Sequence, residues 1–349
     1  MADTASDEGT GRELSAWQIM GPLIDSVTPM AVRVAATLRL ADLIGSGTAS
    51  VADLAESSGA DPDALGRLLR HLVCHGVFDE PEPARYTVNG TAALLYSDHP
   101  SGMRFSLDLD EFGGRMDFAL TGMLHTVRTG KPAWEKVFGA PFWADLAANP
   151  AVAASFDATM GAESEQVHDA AIGYAWPARA HVVDVGGGKG ALLAEVLQAN
   201  PEVRATLFDL PETTARAREF LAERGLDGRC TFAGGSFFDQ LPTGGDIYVL
   251  RHVVHDWGDE EAGTILRRCA EAAGDHGRVI VIESHGTSGD DPGMFAEMDL
   301  RMLLISGGRE RTVEDYRALA SAAGLRVDDV HATRRGQVVL DCVTADITH

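Results

Sequence analysis

The hydrophobic period of this chain changes near residue 180, and the change divides it. Before that point the spacing is helical. Trp17 to Ile24 and Met30 to Leu43 place apolar residues three and four apart, punctuated by Pro22, Pro29 and Gly45. Residues 51–90 predict a short helix over Val51 to Glu56, a Ser-Ser-Gly turn, and a second helix that Asp61 caps and Pro62 opens. Leu65, Leu68, Leu69 and Leu72 share one face of that helix, which ends at Gly76. Val77-Phe78, a polar turn and Tyr86-Thr87-Val88 predict a hairpin. Helix, turn, helix, hairpin is a winged helix-turn-helix pattern. Residues 100–175 read as further helices with a wide apolar face.

From His181 onward short apolar strands alternate with helical stretches. The strands are expected at 181–185, 205–209, 230–233, 246–251 and 278–283, with helices between them. This is the signature of a doubly wound, mainly parallel sheet. Two last strands, 325–332 and 337–345, flank Arg334-Arg335-Gly336. A link that short requires an antiparallel pair, placed at the sheet edge. The fold class expected is therefore α/β, a Rossmann-like sheet with an antiparallel last strand, preceded by a mainly helical N-terminal domain.

Composition narrows the function classes. The 349 residues carry 52 acids against 29 bases, a net charge of −23. Nucleic-acid binders gain affinity by neutralising phosphates with Lys and Arg, so DNA or RNA is not an expected partner. The winged region is acidic too, with seven acids against three bases over 51–90. A recognition helix is net basic, so this module reads as a scaffold or dimerisation unit. No apolar run approaches the ~20 residues of a membrane helix. The polar start, residues 1–12, has no signal-peptide pattern. The widely separated Cys74, Cys230, Cys269 and Cys342 read as reduced thiols of a cytoplasmic protein, with no metal site. The cluster of aromatics and methionines over 105–160, including Phe156 and Met160, reads mostly as core, with a minority lining a hydrophobic pocket.

Two sets of residues carry candidate chemistry. Val182 to Leu193, VVDVGGGKGALL, is a strand, a glycine turn and a helix start. Gly186, Gly188 and Ala191 fit the dinucleotide spacing G-x-G-x-x-G/A, while Lys189-Gly190 lacks the Ser/Thr of a phosphate loop. Asp184, two residues before the first glycine, repels a pyrophosphate and suits a cationic ligand. S-adenosylmethionine, with a sulfonium and an ammonium, has the right sign. Asp209, 23 residues beyond Gly186, suits a ribose diol and does not by itself separate this cofactor from NAD. The second set follows the strand at 246–251. Ligands of open α/β sheets bind beyond the carboxyl ends of the strands. Two histidines and an acid, His252, His255 and Asp256, land there with Glu283 on the same rim, so His255 is a candidate general base and Glu283 a candidate orienting acid.

Five ordered motifs, VVDVGGGKG, FDLP (208–211), GSFFD (235–239), LRHVVHDWGDEE (250–261) and GGRERT (307–312), together resemble the plant-type, caffeate-like small-molecule O-methyltransferases. The resemblance covers nearly the whole chain. FWADLAANPAVAASFDATM (142–160) brings it closer to bacterial natural-product members such as the anthracycline 4-O-methyltransferase. The resemblance implies S-adenosylmethionine as methyl donor, S-adenosylhomocysteine as product, and no metal. It places Gly186, Gly188 and Asp184 at the methionine end of the cofactor and Asp209 on the ribose. Leu210 and Phe237 would lie against the adenine, Arg251 on polar groups, and Trp257 over the adenosine. His255 would be the base, flanked by Glu283 and Glu310. Met160, Met302 and Ser306 would face an aromatic acceptor, with Phe156 of the aromatic cluster a further candidate for its wall. The chain departs from the pattern at Ser236, where many members carry Asp.

The division expected is 1–100, a winged-helix-like dimerisation domain making a homodimer; 101–175, a helical linker contributing to the substrate pocket; and 176–349, the cofactor-binding catalytic domain. Three other readings stay open. One is a relative that retains the cofactor but hydroxylates or decarboxylates. The others are an NAD-dependent oxidoreductase and a metabolite-sensing winged-helix regulator.

Overall fold

The structure, a computed structural model, describes residues 14–47, 49–161, 164–284 and 292–345. The polar segment 1–12 lies outside the described residues. The chain forms two compact units, Met1–Arg115 and Met116–His349.

The first unit holds α1 (Ala16–Ile24), α2 (Val27–Thr37), α3 (Leu40–Gly45), α4 (Val51–Ser58) and α5 (Pro62–Cys74). A hairpin follows, β1 (Phe78–Glu82) and β2 (Arg85–Val88), then α6 (Gly90–Ala93) and α7 (Met103–Leu107). Pro22 lies inside α1, while Pro29 lies in the first turn of α2. The expected helix over Met30 to Leu43 is in fact two, because Arg39 takes a left-handed conformation (φ 53°) and breaks it. No apolar pattern registers such a break, since both halves feed one core of Ala35, Leu40, Leu54, Leu69, Leu72 and Phe78. Asp61 caps α5 as predicted, its Oδ1 accepting from Ala64 N at 2.9 Å. Helix α1 buries none of its residues, and Trp17, Leu23 and Val27 are more than half exposed.

The boundary between the units falls within α8 (Phe112–Ala119). Short helices α9 (Met123–Thr129), α10 (Ala133–Phe138), α11 (Phe142–Ala148), α12 (Pro150–Gly161) and α13 (Ser164–Gly173) precede the sheet. Its strands are β3 (His181–Val185), β4 (Arg204–Asp209), β5 (Cys230–Gly234), β6 (Ile247–Arg251), β7 (Arg278–Ser284), β8 (Leu325–Ala332) and β9 (Gln337–Thr344). Their order is β5-β4-β3-β6-β7-β9-β8, parallel through β7, with β9 antiparallel to both neighbours. Helices α14 (Ala191–Ala199), α15 (Pro211–Ala222), α16 (Asp259–Ala273), α17 (Pro292–Ile305) and α18 (Val313–Ala322) complete the unit.

Two buried clusters sandwich the sheet. One packs Val182, Leu193, Leu197, Leu207 and Leu221; the other packs Val183, Tyr248, Ile265, Val279 and Leu319. Val182 and Val183 are adjacent yet belong to different clusters, as side chains alternating across a strand require. Both faces are therefore covered, which explains why these strands read as continuous apolar runs. The order reverses between β3 and β6. Ligands of such sheets bind in the crevice at that switch point. Cys230, Cys269 and Cys342 are buried free thiols, and Cys74 is an exposed one. No described helix is long and apolar enough to cross a membrane.

Candidate active site

The turn after β3 is shaped by its glycines. Gly186 and Gly188 take positive φ (73° and 56°), and a Cβ on Gly186 would sit 2.8 Å from Val253 Cγ2. The tight path holds Asp184 beneath it. This carboxylate is buried, and its Oδ2 has no hydrogen-bond partner. Burial first, and then the charge of Asp209, push its carboxyl up to about 7 against the pull of Arg251. Asp209, at the end of β4, accepts from Gly188 N (2.9 Å) and Leu210 N (2.7 Å). Burial still raises its pKa despite those bonds.

A wall of rings stands beside this turn. Trp257 meets Phe237 and Phe238 edge-on, at centroid distances of 5.8 and 4.8 Å. Trp143, on α11, stacks on Trp257 at 6.0 Å and 14°. Phe156, on α12, meets Trp143 edge-on.

His255 sits on a 3-10 turn, Val254–Asp256, just beyond β6. Its Nδ1 lies 2.8 Å from Glu310 Oε1 and 3.9 Å from Glu283 Oε2. Its Nε2 lies 3.7 Å from Asp256 Oδ1. Glu283 is fully buried, and its Oε1 accepts the backbone N–H groups of Val253, Val254 and His255. The second oxygens of Glu283 and Glu310 have no hydrogen-bond partner. Burial opposes a charge on His255, but Glu283, Asp256 and Glu310 outweigh it and raise the imidazole to about 10. Burial also holds the carboxyls of Asp256 and Glu283 up, to about 6 and about 7. The cluster binds a proton avidly and keeps it near His255.

The structure thus brings His255, Glu283 and Glu310 together, and separately Asp184, Gly186, Gly188 and Asp209. Leu210 is 44% exposed beside Asp209. Ser236 Oγ accepts from Phe238 N at 3.3 Å. Arg251 acts on Asp184 through its charge. Met160 lies one turn beyond Phe156 on α12 and is exposed. Met302 lies on α17, and its carbonyl accepts the N–H groups of Ser306, Gly307 and Gly308. The Ser306 hydroxyl closes the same turn, donating to Met302 O and accepting from Gly308 N.

Other neighbours complete the surroundings. Asp256, already placed beyond β6 by the sequence with His252 and His255, faces the ring. Asp299, on α17, accepts the N–H of Glu310 at 2.9 Å. Trp143 sits in a stretch read mainly as core. His252 has φ 52°, and its Nε2 meets the amide nitrogen of Gln337. One ligand atom each from His252, His255 and Glu283 lie within 4.8 Å of one another, the one such group among the described residues. Each imidazole already spends a nitrogen on another residue, His255 on Glu310 and His252 on Gln337.

This sheet order, with the glycine turn at the β3 end and an acid-flanked histidine beyond β6, defines a Rossmann-like methyltransferase of the class with an N-terminal helical domain. A family model described as "O-methyltransferase domain" matches residues 121–326, and one described as "O-methyltransferase dimerisation domain" matches residues 22–98. The chain belongs to the O-methyltransferase family. It is 44% identical to the 2,7-dihydroxy-5-methyl-1-naphthoate 7-O-methyltransferase of Streptomyces carzinostaticus, over 88% of this chain and 92% of that protein. It is also 44% identical to the aclacinomycin 10-hydroxylase of Streptomyces purpurascens, over 86% and 81%. Among solved structures it is similar to an O-methyltransferase from neocarzinostatin biosynthesis in complex with S-adenosylmethionine and 2-hydroxy-5-methyl naphthoic acid. That match has a TM-score of 0.88 and 42% identity, over 93% of this chain and 98% of that one.

Proposed function

We propose that this enzyme methylates a hydroxyl of an aromatic, naphthoate-like natural product, with S-adenosylmethionine as donor, as a cytoplasmic homodimer joined through the region 1–100. The segments 101–175 and 176–349 would then supply the acceptor wall and the catalytic sheet. The observation that carries the reading is His255, held between carboxylates at the carboxyl ends of β6 and β7. The cofactor fits the residues present. Asp184 offers a buried oxygen with no partner, as a cationic ligand needs, and Asp209 has lone pairs left for a ribose. The rings of Phe237 and Trp257, set edge-on to each other, offer an apolar corner for a base. Gly186, Gly188, Leu210, Ser236 and Arg251 complete that side, while Phe156, Met160, Met302 and Ser306 would face the acceptor.

When bound, S-adenosylmethionine supplies an electrophilic methyl on a cationic sulfonium. The protein's part is to prepare the oxygen. A phenol, with a pKa of about 10, is mostly protonated near neutrality. With its pKa near 10, His255 is itself mostly protonated near neutrality, so the working fraction is the neutral one, which grows as pH rises. In that form the Nδ1–H donates to Glu310, which leaves Nε2 to take the hydroxyl proton. Glu283 and Asp256 then stabilise the imidazolium, which makes the neutral form a strong base. General-base help of this kind is worth ~10²–10⁴-fold. Alignment of oxygen and methyl adds more, since effective molarities reach ~10⁵–10⁸ M.

The name of the hydroxylase relative makes product identity the test. The enzyme is incubated with S-adenosylmethionine and hydroxynaphthoates or related phenols. A product heavier by one methylene, with an equal amount of S-adenosylhomocysteine, supports the reading. A product gaining oxygen or losing a carboxyl group, without S-adenosylhomocysteine, overturns it in favour of the hydroxylating or decarboxylating alternative.

A further inference from the structure

The backbone of the turn that carries His255 is held from two sides, one of them by a residue outside the site described above. The N–H groups of Val253, Val254 and His255 go to Glu283 Oε1. Those of Asp256 and Trp257 close weak turns onto Val253 O and Val254 O, both at 3.3 Å. Three of its carbonyls accept from the loop after α17. His255 O accepts from Arg309 N at 2.8 Å. Val254 O and Trp257 O, on either side of the histidine, accept from the guanidinium of Arg311, at 3.0 and 2.9 Å.

Arg311 is 1% exposed and uses all its donors. Nη1 serves Val254 O and Arg309 O; Nη2 serves Trp257 O and Asp259 Oδ1; Nε serves Asp259 Oδ1 as well. Its one acid partner, Asp259, is 60% exposed at the start of α16, so solvent screens that pair. Three of its five bonds end on main-chain carbonyls, two of them bracketing His255. The third, Arg309 O, belongs to the residue before Glu310. One planar group therefore ties the backbone of the histidine to the backbone of the carboxylate that orients it. The packing leaves no slack: a Cβ on Gly308 would come 2.1 Å from His255 O.

We infer that Arg311 is a positioning residue for methyl transfer, holding the His255 turn and the Glu310 loop in register so that the His255–Glu310 hydrogen bond keeps its geometry. The inference rests on His255 being the base. Glu283 and Arg311 divide the work: a buried carboxyl group gathers three N–H groups of the turn, and a buried cation gathers two of its carbonyls. A lysine cannot substitute, because a single ammonium lacks the fork that reaches two carbonyls and a carboxylate at once.

The test compares wild type with Arg311→Lys, Arg311→Ala and the milder Asp259→Asn. Each is assayed for turnover, S-adenosylhomocysteine affinity and the downfield proton signal of the His255 Nδ1–H···Glu310 bond. In folded Arg311→Lys and Arg311→Ala, turnover is expected to fall at least tenfold while S-adenosylhomocysteine affinity changes less than threefold. The downfield signal is lost, and millimolar guanidinium restores part of the Arg311→Ala activity. Should neither Arg311 variant fold, Asp259→Asn is expected to show the same split with a smaller drop. Turnover within twofold of wild type with the signal intact would overturn the inference. So would a loss matched by an equal loss of cofactor affinity. The proton signal needs no methyl transfer, so a wild type that methylates nothing defeats the proposed function without deciding the role of Arg311.

Discussion

Replacing Glu310 by glutamine removes a full negative charge 2.8 Å from His255 Nδ1 while keeping an oxygen to accept its hydrogen bond. Two unit charges about 4 Å apart interact by ~4 kcal/mol at an effective dielectric near 20. One pKa unit is about 1.4 kcal/mol. Glu283 and Asp256 remain and their own protonation readjusts, so the fall expected is about one to three units. The direction is fixed: with one acid fewer, the imidazolium is less stable, and its pKa drops from about 10 toward the ordinary value of 6.5. The assay is kcat/KM against pH, which reports groups of the free enzyme and free substrate. The acceptor phenol titrates in the same range but is identical for both enzymes, so any difference belongs to the protein. The wild-type profile should rise through the alkaline range. The Glu310→Gln profile should reach its plateau at lower pH, and that plateau should be at least tenfold lower, because the base is weaker. Thermal stability offers an independent reading. A histidine whose pKa is raised on folding contributes stability that is complete below its unfolded value and is lost as pH rises through the folded value. Wild type should therefore lose more of its melting temperature between pH 7 and 10 than the variant. Profiles with the same midpoint would refute the electrostatic reasoning.

Three further outcomes are expected. His255→Ala should lower turnover at least tenfold and leave S-adenosylhomocysteine affinity within threefold; unchanged turnover would remove this residue as the base. Asp184, with its carboxyl raised to about 7, is partly protonated near neutrality, and a cationic ligand favours the carboxylate. Cofactor binding should therefore release a proton, read by calorimetry in buffers of different ionisation enthalpy. The release should fade above pH 9 and vanish in Asp184→Asn, which should also bind at least tenfold more weakly. Gly308→Ala sets a Cβ against the backbone of His255 and Asp256, atoms that cannot rotate away. It should cost ~1–3 kcal/mol of stability and depress turnover beyond the unfolded fraction, measured by melting and by kcat on the folded enzyme.

The catalytic half of the fold was legible because its elements are written in period and punctuation. The strand at 181–185 and the final pair around Gly336 stand where the apolar runs place them, the first because it is buried on both faces and the last two because a tight turn joins them. The break at Arg39 was not legible, because a left-handed residue between two helices of one core leaves the apolar pattern intact. The site was legible where chemistry coincides with a strand end, as for Asp184, Asp209, His255 and Glu283. It was hidden where a residue acts through the backbone. Arg311 lies one position past Glu310 in the same short motif, yet nothing in an Arg-Glu-Arg sequence says that the last guanidinium turns inward onto Val254 O and Trp257 O. The stacking of Trp143 on Trp257 is equally a product of tertiary packing between residues 114 positions apart. Ser236 shows the reverse: its identity was noted, and the fold shows its Oγ accepting the N–H of Phe238 in a local turn.

The central claim, transfer of an intact methyl group to an aromatic oxygen, is tested most directly by isotope. The enzyme is given S-adenosylmethionine carrying a trideuterated methyl and a hydroxynaphthoate labelled with oxygen-18 at the hydroxyl. The product mass is then read. Retention of all three deuterium atoms together with the oxygen-18, in step with S-adenosylhomocysteine, is the result expected of a direct displacement by the acceptor oxygen. A product without deuterium, bearing a new oxygen or lacking its carboxyl group, would contradict it.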